Sequence, residues 1–408
     1  MTNATIAWAD PARASAFARW LDATALTHAL QPETVRLASA DASFRRYFRV
    51  DTAAGDSSRI IMDAPPAQED CKPFVKVAAL MADAGLNAPR VLAWDEAQGF
   101  MLLSDLGHQT LLDVINPPAG ALATATNAQA CHDLYMDAVE ALITWQLASR
   151  PDVLPPYDDA LLSRELALFP DWYVNQHRGL AGDTVLHGKL EALFTQIKAS
   201  NLQSLGGARV YVHRDFMPRN LMVAQFSDGP PLGKLAPEGL TSAAPSLPAQ
   251  AGTDGRAAAS RSGTSSAVRE ATSVGALGIL DFQDAVYGPI TYDIASLMRD
   301  AFLSWEEDFV LDVTVRYWQK ARQVGLPVGD DFGEFYRAVE WMGLQRHLKV
   351  LGIFARLTLR DGKPKYLADT PRFIKYARST AARYRQLGPL MVLLDQIEGD
   401  ETRVGYTF

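Results

Sequence analysis

Val210-Tyr-Val-His-Arg-Asp-Phe-Met-Pro-Arg-Asn-Leu-Met-Val223 is the most informative run in the chain. Its apolar start, Val210 to Val212, predicts a short buried strand. A polar loop follows, His213-Arg214-Asp215, then Pro218, Arg219 and Asn220, and the apolar run Leu221 to Val223 predicts a second strand. Two strand ends thus present an acid and, five residues later, an amide. Farther on, Gly278-Ile-Leu-Asp-Phe-Gln283 repeats the device and delivers Asp281 from another apolar strand. Two carboxylates and an amide at strand ends make a hard, oxygen-rich set of the kind magnesium prefers.

The Asp215 to Asn220 spacing is that of the H-R-D-x-x-x-x-N loop of kinases, and Asp281-Phe282 resembles their metal-binding D-F-G. In such loops the Asp accepts the proton of the attacking hydroxyl, and the Asn reaches the metal on the nucleotide phosphates. Either piece alone reads equally well as a surface turn or a strand cap. Both together, in this order, predict phosphoryl transfer.

The chain has 408 residues, enough for two lobes, and a net charge of −8, which gives no general basic footprint for nucleic acid. Cys71 and Cys131 have no metal-ligand spacing and predict free thiols in a reducing compartment. Met1 to Asp10 lacks the features of a signal peptide, and no apolar run is long enough to span a bilayer. The expectation is a cytoplasmic, monomeric protein without a membrane or nucleic-acid partner.

Before the loop, Pro11 to Leu30 has helical periodicity, and strand-like alternation follows on both sides of Asp41-Ala42-Ser43 and again from Arg59 to Met62. Kinases place a glycine-rich turn at this point. Here small residues let backbone N–H groups approach a phosphate, with Ser43, Phe44, Arg45 or Arg46 beside it. The strand lysine of kinases is absent, with Met62 or Asp63 in its place, and the helix expected from Pro73 to Ala84 carries no Glu. Arg45, Arg46, Lys72 and Lys76 are the candidate substitutes. A helix stop at Gly85, strands at 89–94 and 99–104, and a nucleotide-facing connection at Asp105-Leu106-Gly107 complete the first lobe, residues 1–107. Residues 108–408 turn helical, with segments at 132–147, 161–169, 186–197, 308–324, 332–354 and 373–388. Glu165, Asp171, Tyr173, Asp284 and Arg346 are candidate lining residues of a substrate cleft, although such residues are more often packing or surface positions. Asp293, at a helix start, is a candidate support of the catalytic loop beside His213. Residues 224–276, rich in Gly, Ser, Ala, Pro and Thr, predict a disordered insertion between two strands of a hairpin. Strands first and helices after predict an α+β, two-lobed, protein-kinase-like fold. Only a short bridge joins Asp281 to the next helix, which leaves no room for a protein-kinase activation loop.

These motifs resemble the aminoglycoside-phosphotransferase superfamily. Asp41-Ala-Ser-Phe-Arg-Arg-Tyr-Phe-Arg49, Met62-Asp-Ala-Pro-Pro66, Gln345-Arg-His-Leu-Lys349 and Gly352-Ile-Phe-Ala-Arg356 are in turn similar to its amino-sugar anomeric kinases of bacterial cell-wall recycling. The resemblance implies ATP-dependent, magnesium-assisted phosphorylation of the anomeric hydroxyl of N-acetylmuramate and N-acetylglucosamine. Asp215 would be the base, Arg219 would contact either phosphate or the Asp215 carboxylate, and Asn220 and Asp281 would be the metal ligands. Ser43, Phe44, Arg45, Asp105 and Leu106 would hold the nucleotide. Kinases of aminoglycosides, choline, homoserine or fructosamines remain alternatives, as does a non-catalytic nucleotide-binding regulator.

Overall fold

Alternation between residues 36 and 104 builds an antiparallel sheet of five strands, and its two faces do different work. The computed structural model describes residues 6–40, 44–53, 55, 57–116, 128–223 and 277–399. Ser43 and the proposed insertion at 224–276 lie outside them. Strands β1 (Arg36–Ala40), β2 (Arg46–Asp51), β3 (Ser58–Asp63), β4 (Val91–Asp95) and β5 (Phe100–Ser104) are ordered β1-β2-β3-β5-β4. Phe48 pairs with Ile61, and Ile61 with Leu102, so these side chains share the outer face. Helix α1 (Pro11–His28) covers that face with Phe17 and Leu21. Tyr47 pairs with Met62, and Met62 with Met101, on the inner face, where Met62 joins the core with Phe74 and Val77 of α2 (Lys72–Asp83).

This parity settles which residue stands where a kinase has its strand lysine. Met62 points inward and is fully buried, whereas Asp63 points outward. Asp63 is held by Arg13 of α1 and by Arg46, each at 2.5 Å. The Arg46 guanidinium also lies 3.9 Å from the centre of the Trp8 ring. Arg46 is therefore an outer-face clamp and not a phosphate contact.

The rest of the described chain is mainly helical. It comprises α3 (Leu111–Ile115), α4 (Ala128–Leu147), α5 (Asp159–Leu168), α6 (Thr184–Gln203), α7 (Thr291–Met298), α8 (Glu307–Gln323), α9 (Phe332–Leu359), α10 (Thr370–Arg383) and α11 (Gly388–Glu398). Wide π-type turns at Phe169–His177 continue α5. No helix among the described residues is long and apolar enough to cross a membrane.

Two short ribbons interrupt the helices and position the chemistry. Strand β6 (Arg209–Val212) pairs antiparallel with β9 (Val286–Pro289), and β7 (Leu221–Met222) with β8 (Gly278–Ile279). The loop from His213 to Asn220 joins β6 to β7. The loop from Leu280 to Ala285 joins β8 to β9. Because the same two ribbons bound both loops, the loops lie side by side. Helix α9 backs them, with every residue from Val339 to Lys349 buried. Five of these are polar or charged, Glu340, Gln345, Arg346, His347 and Lys349, which is costly unless each finds a partner.

Candidate active site

The loop carrying Asp215 is fixed by its backbone. The Asp293 carboxylate accepts the His213 N–H at 2.7 Å and the Arg214 N–H at 3.0 Å, one on each oxygen. Burial pushes this carboxyl up to about 7, against the pull of the two N–H groups and of Arg346. The His213 ring lies between the two loops. Its Nε2 is 3.0 Å from the Leu280 carbonyl, and its Nδ1 is 3.2 Å from the Asp215 N–H. A carbonyl on one side and an N–H on the other select the neutral Nε2–H tautomer. Burial agrees, pushing the imidazole down to about 4. Arg346 Nη1 donates to the Arg214 carbonyl at 2.7 Å, and its Nη2 to Ser296 Oγ at 2.6 Å. These bonds hold Arg214 at a φ of +77°, a conformation unfavourable for a residue with a Cβ.

Asn220 stitches this loop to the second one. Its Nδ2 donates to the Asp215 carbonyl at 2.9 Å and lies 3.3 Å from Asp281 Oδ2. Gln283 Nε2 donates to the other Asp281 oxygen at 2.8 Å. Asp281 also has a positive φ, +64°. Strain at both acid-bearing loops, held by convergent hydrogen bonds, is the mark of a preorganised site. Among the described residues no group of three or more His, Cys, Asp or Glu side chains is arranged for a metal. Asp281 and Asn220 nevertheless supply a carboxylate and an amide side by side.

Two cavities meet this constellation. One, of about 380 Å³, lies under the inner face of the sheet and is lined by Tyr47, Arg49, Ile60, Leu103, the segment Asp105 to His108, Arg219, Asn220, Asp281 and Phe282. The other, of about 460 Å³, lies between α5, α9 and the catalytic loop and takes in Asp215, Glu165, Asp284, Arg214 and Arg346. Cations dominate its walls: Arg164, Arg214, Arg299, Arg346, Lys349 and Arg356 against Glu165, Asp215 and Asp284.

Residues 34–233 and 272–329 match the phosphotransferase enzyme family. The chain belongs to that family. An N-acetylmuramate/N-acetylglucosamine kinase of Pseudomonas aeruginosa is 44% identical to this phosphotransferase over 358 residues, 88% of this chain and 86% of that protein. A protein of the same name from Neisseria meningitidis serogroup B is 42% identical over 373 residues, 91% and 93% of the two chains. Among solved structures, a Plasmodium vivax ethanolamine kinase matches with a TM-score of 0.56 at 9% identity, over 92% of this chain and 93% of its own. A choline kinase from Streptococcus pneumoniae matches with 0.54 at 11% identity, over 90% and 99%. At those identities the likeness is one of fold.

The sequence candidates distribute unevenly over the phosphotransferase site. Asp215, Asn220, Asp281, His213 and Asp293 come together as described. Arg219 lines the sheet-side cavity, its guanidinium 4.8 Å from the centre of the Phe302 ring. Leu106 and Asp105 line the same cavity, but the Asp105 carboxylate is committed to Arg49 at 2.5 Å and Ser58 at 2.6 Å. Despite burial, these partners hold it below the ordinary carboxylate range. Phe44 is 63% exposed and is not part of that cavity wall. Arg45 shares the inward parity of Tyr47 and Arg49, and pairs at 3.0 Å with Glu69, just before α2.

On the other side, Asp284 is exposed at the cavity wall, while Glu165 is buried in it. Its oxygens take Arg214 at 2.5 Å, Lys349 at 2.9 Å, Tyr157 at 2.6 Å and Gln345 at 2.9 Å. Burial alone would raise this carboxyl, but Lys349 and Arg214 outweigh it and hold it far below the ordinary range. Glu165 therefore organises the wall rather than contacting substrate. Tyr173 is not in the cavity at all. It is 1% exposed, and its hydroxyl donates to Glu398 at 3.0 Å, because the π-type turns rotate it toward α11. Asp171 borders a different hollow, between α5 and α6. Sequence inspection missed Arg164, Arg299 and Arg356 as lining residues. The available signal was the helical spacing of Arg346, Lys349, Ile353 and Arg356 along one face of α9.

Proposed function

We propose that this phosphotransferase transfers the γ-phosphoryl group of ATP to the anomeric hydroxyl of N-acetylmuramate and N-acetylglucosamine. The observation that carries this reading is the cavity beside Asp215, whose cations outnumber its acids two to one. Such walls favour an acceptor that is acidic or neutral and repel a polycation such as an aminoglycoside. The names of the relatives, at 41–44% identity over most of the chain, agree with it.

Asp215 lines the cavity on the α9 side and is tied through its carbonyl to Asn220, which lines the sheet-side cavity; from there it takes the proton of the attacking hydroxyl as the bond to phosphorus forms. An anomeric hydroxyl is more acidic than an ordinary alcohol, so a carboxylate is a sufficient base. The adenine end of ATP fits the apolar part of the sheet-side cavity, near Ile60, Leu103 and Leu106. Asp281 and Asn220 fit magnesium, which takes few protein ligands and completes its shell with water and phosphate oxygens. When bound, the ion supplies neutralisation of the phosphate charge that builds up during transfer. Arg219 faces the same phosphates from the loop. Arg45, tied to Glu69 on the inward face, supplies the charge that kinases draw from a strand lysine paired with a helix glutamate.

ADP release with magnesium-ATP, measured against N-acetylmuramate, N-acetylglucosamine, kanamycin, choline and no acceptor, tests the reading. The expected result is turnover with the two amino sugars only, with phosphorus NMR placing the phosphate on C1. Turnover confined to kanamycin or choline overturns the acceptor. In Asp215→Asn, turnover should fall by orders of magnitude while ATP binding stays within about twofold of wild type.

A further inference from the structure

The six cations of the acceptor cavity are not equivalent. Arg214 and Lys349 are spent on Glu165. Arg346 is spent on the Arg214 carbonyl and Ser296, and Arg299 pairs with Glu307 at 2.9 Å. Arg164 on α5 and Arg356 on α9 remain, and the side chain of neither makes a hydrogen bond or ion pair to a described residue. Arg356 is the telling one. It is half-buried, its Nε is shut off from solvent and unpartnered, and the nearest acid, Asp361, is already paired with Arg360 at 2.6 Å. Burial, and after it the charge of Arg360, pulls its guanidinium below the ordinary arginine range. A partly desolvated cation without an anion costs stability, and an incoming anion relieves that cost.

Its place along α9 says where that anion lies. Arg346 marks the catalytic end of the cavity through its bond to the Arg214 carbonyl. Ten residues of helix separate it from Arg356, about 15 Å of rise. One pyranose, with its reacting hydroxyl at Asp215 and a substituent directed away, spans that gap with a hydrogen bond at each end. Between the ends the wall is apolar, made of Leu161, Leu168, Val350, Ile353 and Phe373.

We propose that Arg356, with Arg164 on the neighbouring wall, binds the carboxylate of the acceptor and sets the preference for an acidic over a neutral amino sugar. A guanidinium offers a carboxylate two parallel N–H donors, which makes the pairing directional as well as charged. The inference rests on the acceptors proposed above.

The test measures kcat and KM for N-acetylmuramate and N-acetylglucosamine in wild type, Arg356→Gln and Arg356→Lys at saturating magnesium-ATP. In Arg356→Gln, KM for N-acetylmuramate should rise about tenfold or more, with KM for N-acetylglucosamine and both kcat values within about twofold. Arg356→Lys should recover part of the loss. Equal losses on both sugars, or no loss on either, would overturn the assignment of Arg356. Two further measurements do not depend on the folding of that variant. Arg164→Gln, at an exposed position, should show the same selectivity in smaller degree. The methyl ester of N-acetylmuramate should show a raised KM with the wild type, and an unchanged KM overturns the carboxylate contact. A wild type idle on both sugars overturns the proposed function and this inference together. Activity on both with an unselective variant overturns this inference alone.

Discussion

Asp293 shows how much of the site rests on one buried carboxylate. Each of its oxygens accepts one backbone N–H, from His213 and from Arg214, and those bonds hold Arg214 in its left-handed conformation. Asn in its place would keep one acceptor and turn an NH₂ toward the other N–H. Asp293→Asn should therefore lower stability by about 1–3 kcal/mol, measured by urea unfolding, and lower kcat at least tenfold, while KM for ATP changes little. The two neighbouring arginines of the sheet make a second residue-level test. Arg45 pairs with Glu69 on the inward face, where the proposed function puts the nucleotide, and Arg46 clamps Asp63 on the outer face. Arg45→Met should raise KM for ATP about tenfold, whereas Arg46→Met should lower the melting temperature and leave KM for ATP unchanged. A raised KM in the second variant would refute the division of labour. The convergence of His213, Asp215 and Asn220 in one loop was legible because their spacing is local. The residue pattern left the two arginines open and only the family resemblance singled out Arg45, although strand parity counted from Tyr47 and Phe48 would have separated them. The parity of Met62 and Asp63 was equally available in the same alternation.

At the scale of elements, the cavity beside Asp215 depends on how closely α5 approaches α9. Gly352 is the contact point. A Cβ there would lie 2.2 Å from the carbonyl carbon and oxygen of Leu168, both backbone atoms that cannot turn aside. Gly352→Ala should force the helices apart, costing about 1–3 kcal/mol, and displace Arg164 and Glu165 from the wall. The expected outcome is a lower melting temperature together with a reduced kcat/KM for the acceptor and an unchanged KM for ATP. An equal loss toward ATP would mean that the catalytic loop, not the wall, had moved. The long helices were legible from their 3.6-residue period, as was the β7–β8 pairing from the apolar runs on either side of residues 224–276. Two elements escaped. The π-type turns after α5 have no simple apolar period, so Tyr173 was assigned to the cleft when it faces α11. Strand β9 contains Gly288 and Pro289 and was hidden in the bridge after Asp281. Its partner, β6, is more than seventy residues away.

At the scale of the whole molecule, a chain of net charge −8 forms a cavity in which cations outnumber acids two to one. Composition averages over the surface and cannot report such a local reversal. It shows only when α5, α7 and α9 bring distant basic residues together. The order of strands and helices, by contrast, was readable, since it follows from local periodicity alone. The concentration of cations has a consequence for acid stability, carried by His347. Its ring lies flat against Tyr376, with centroids 4.8 Å apart, and is 2% exposed. Burial first, then Arg299 and Arg346, push its pKa down to about 3. An unfolded chain protonates this histidine below about 6.5. Between those two values the unfolded state binds the extra proton, so the His347 contribution to stability is lost as the pH falls. His213 acts in the same direction, and Asp293 and Asp300, both raised by burial, act in the opposite one, so the wild-type profile alone does not isolate the effect. A comparison with His347→Gln does. Between pH 7 and pH 5 the wild type should lose about 2 kcal/mol more than the variant in denaturant unfolding, the cost of withholding one proton over roughly 1.5 pH units. Parallel losses in the two proteins would show that His347 takes up its proton in the folded state, and that the cations around it do not set its charge.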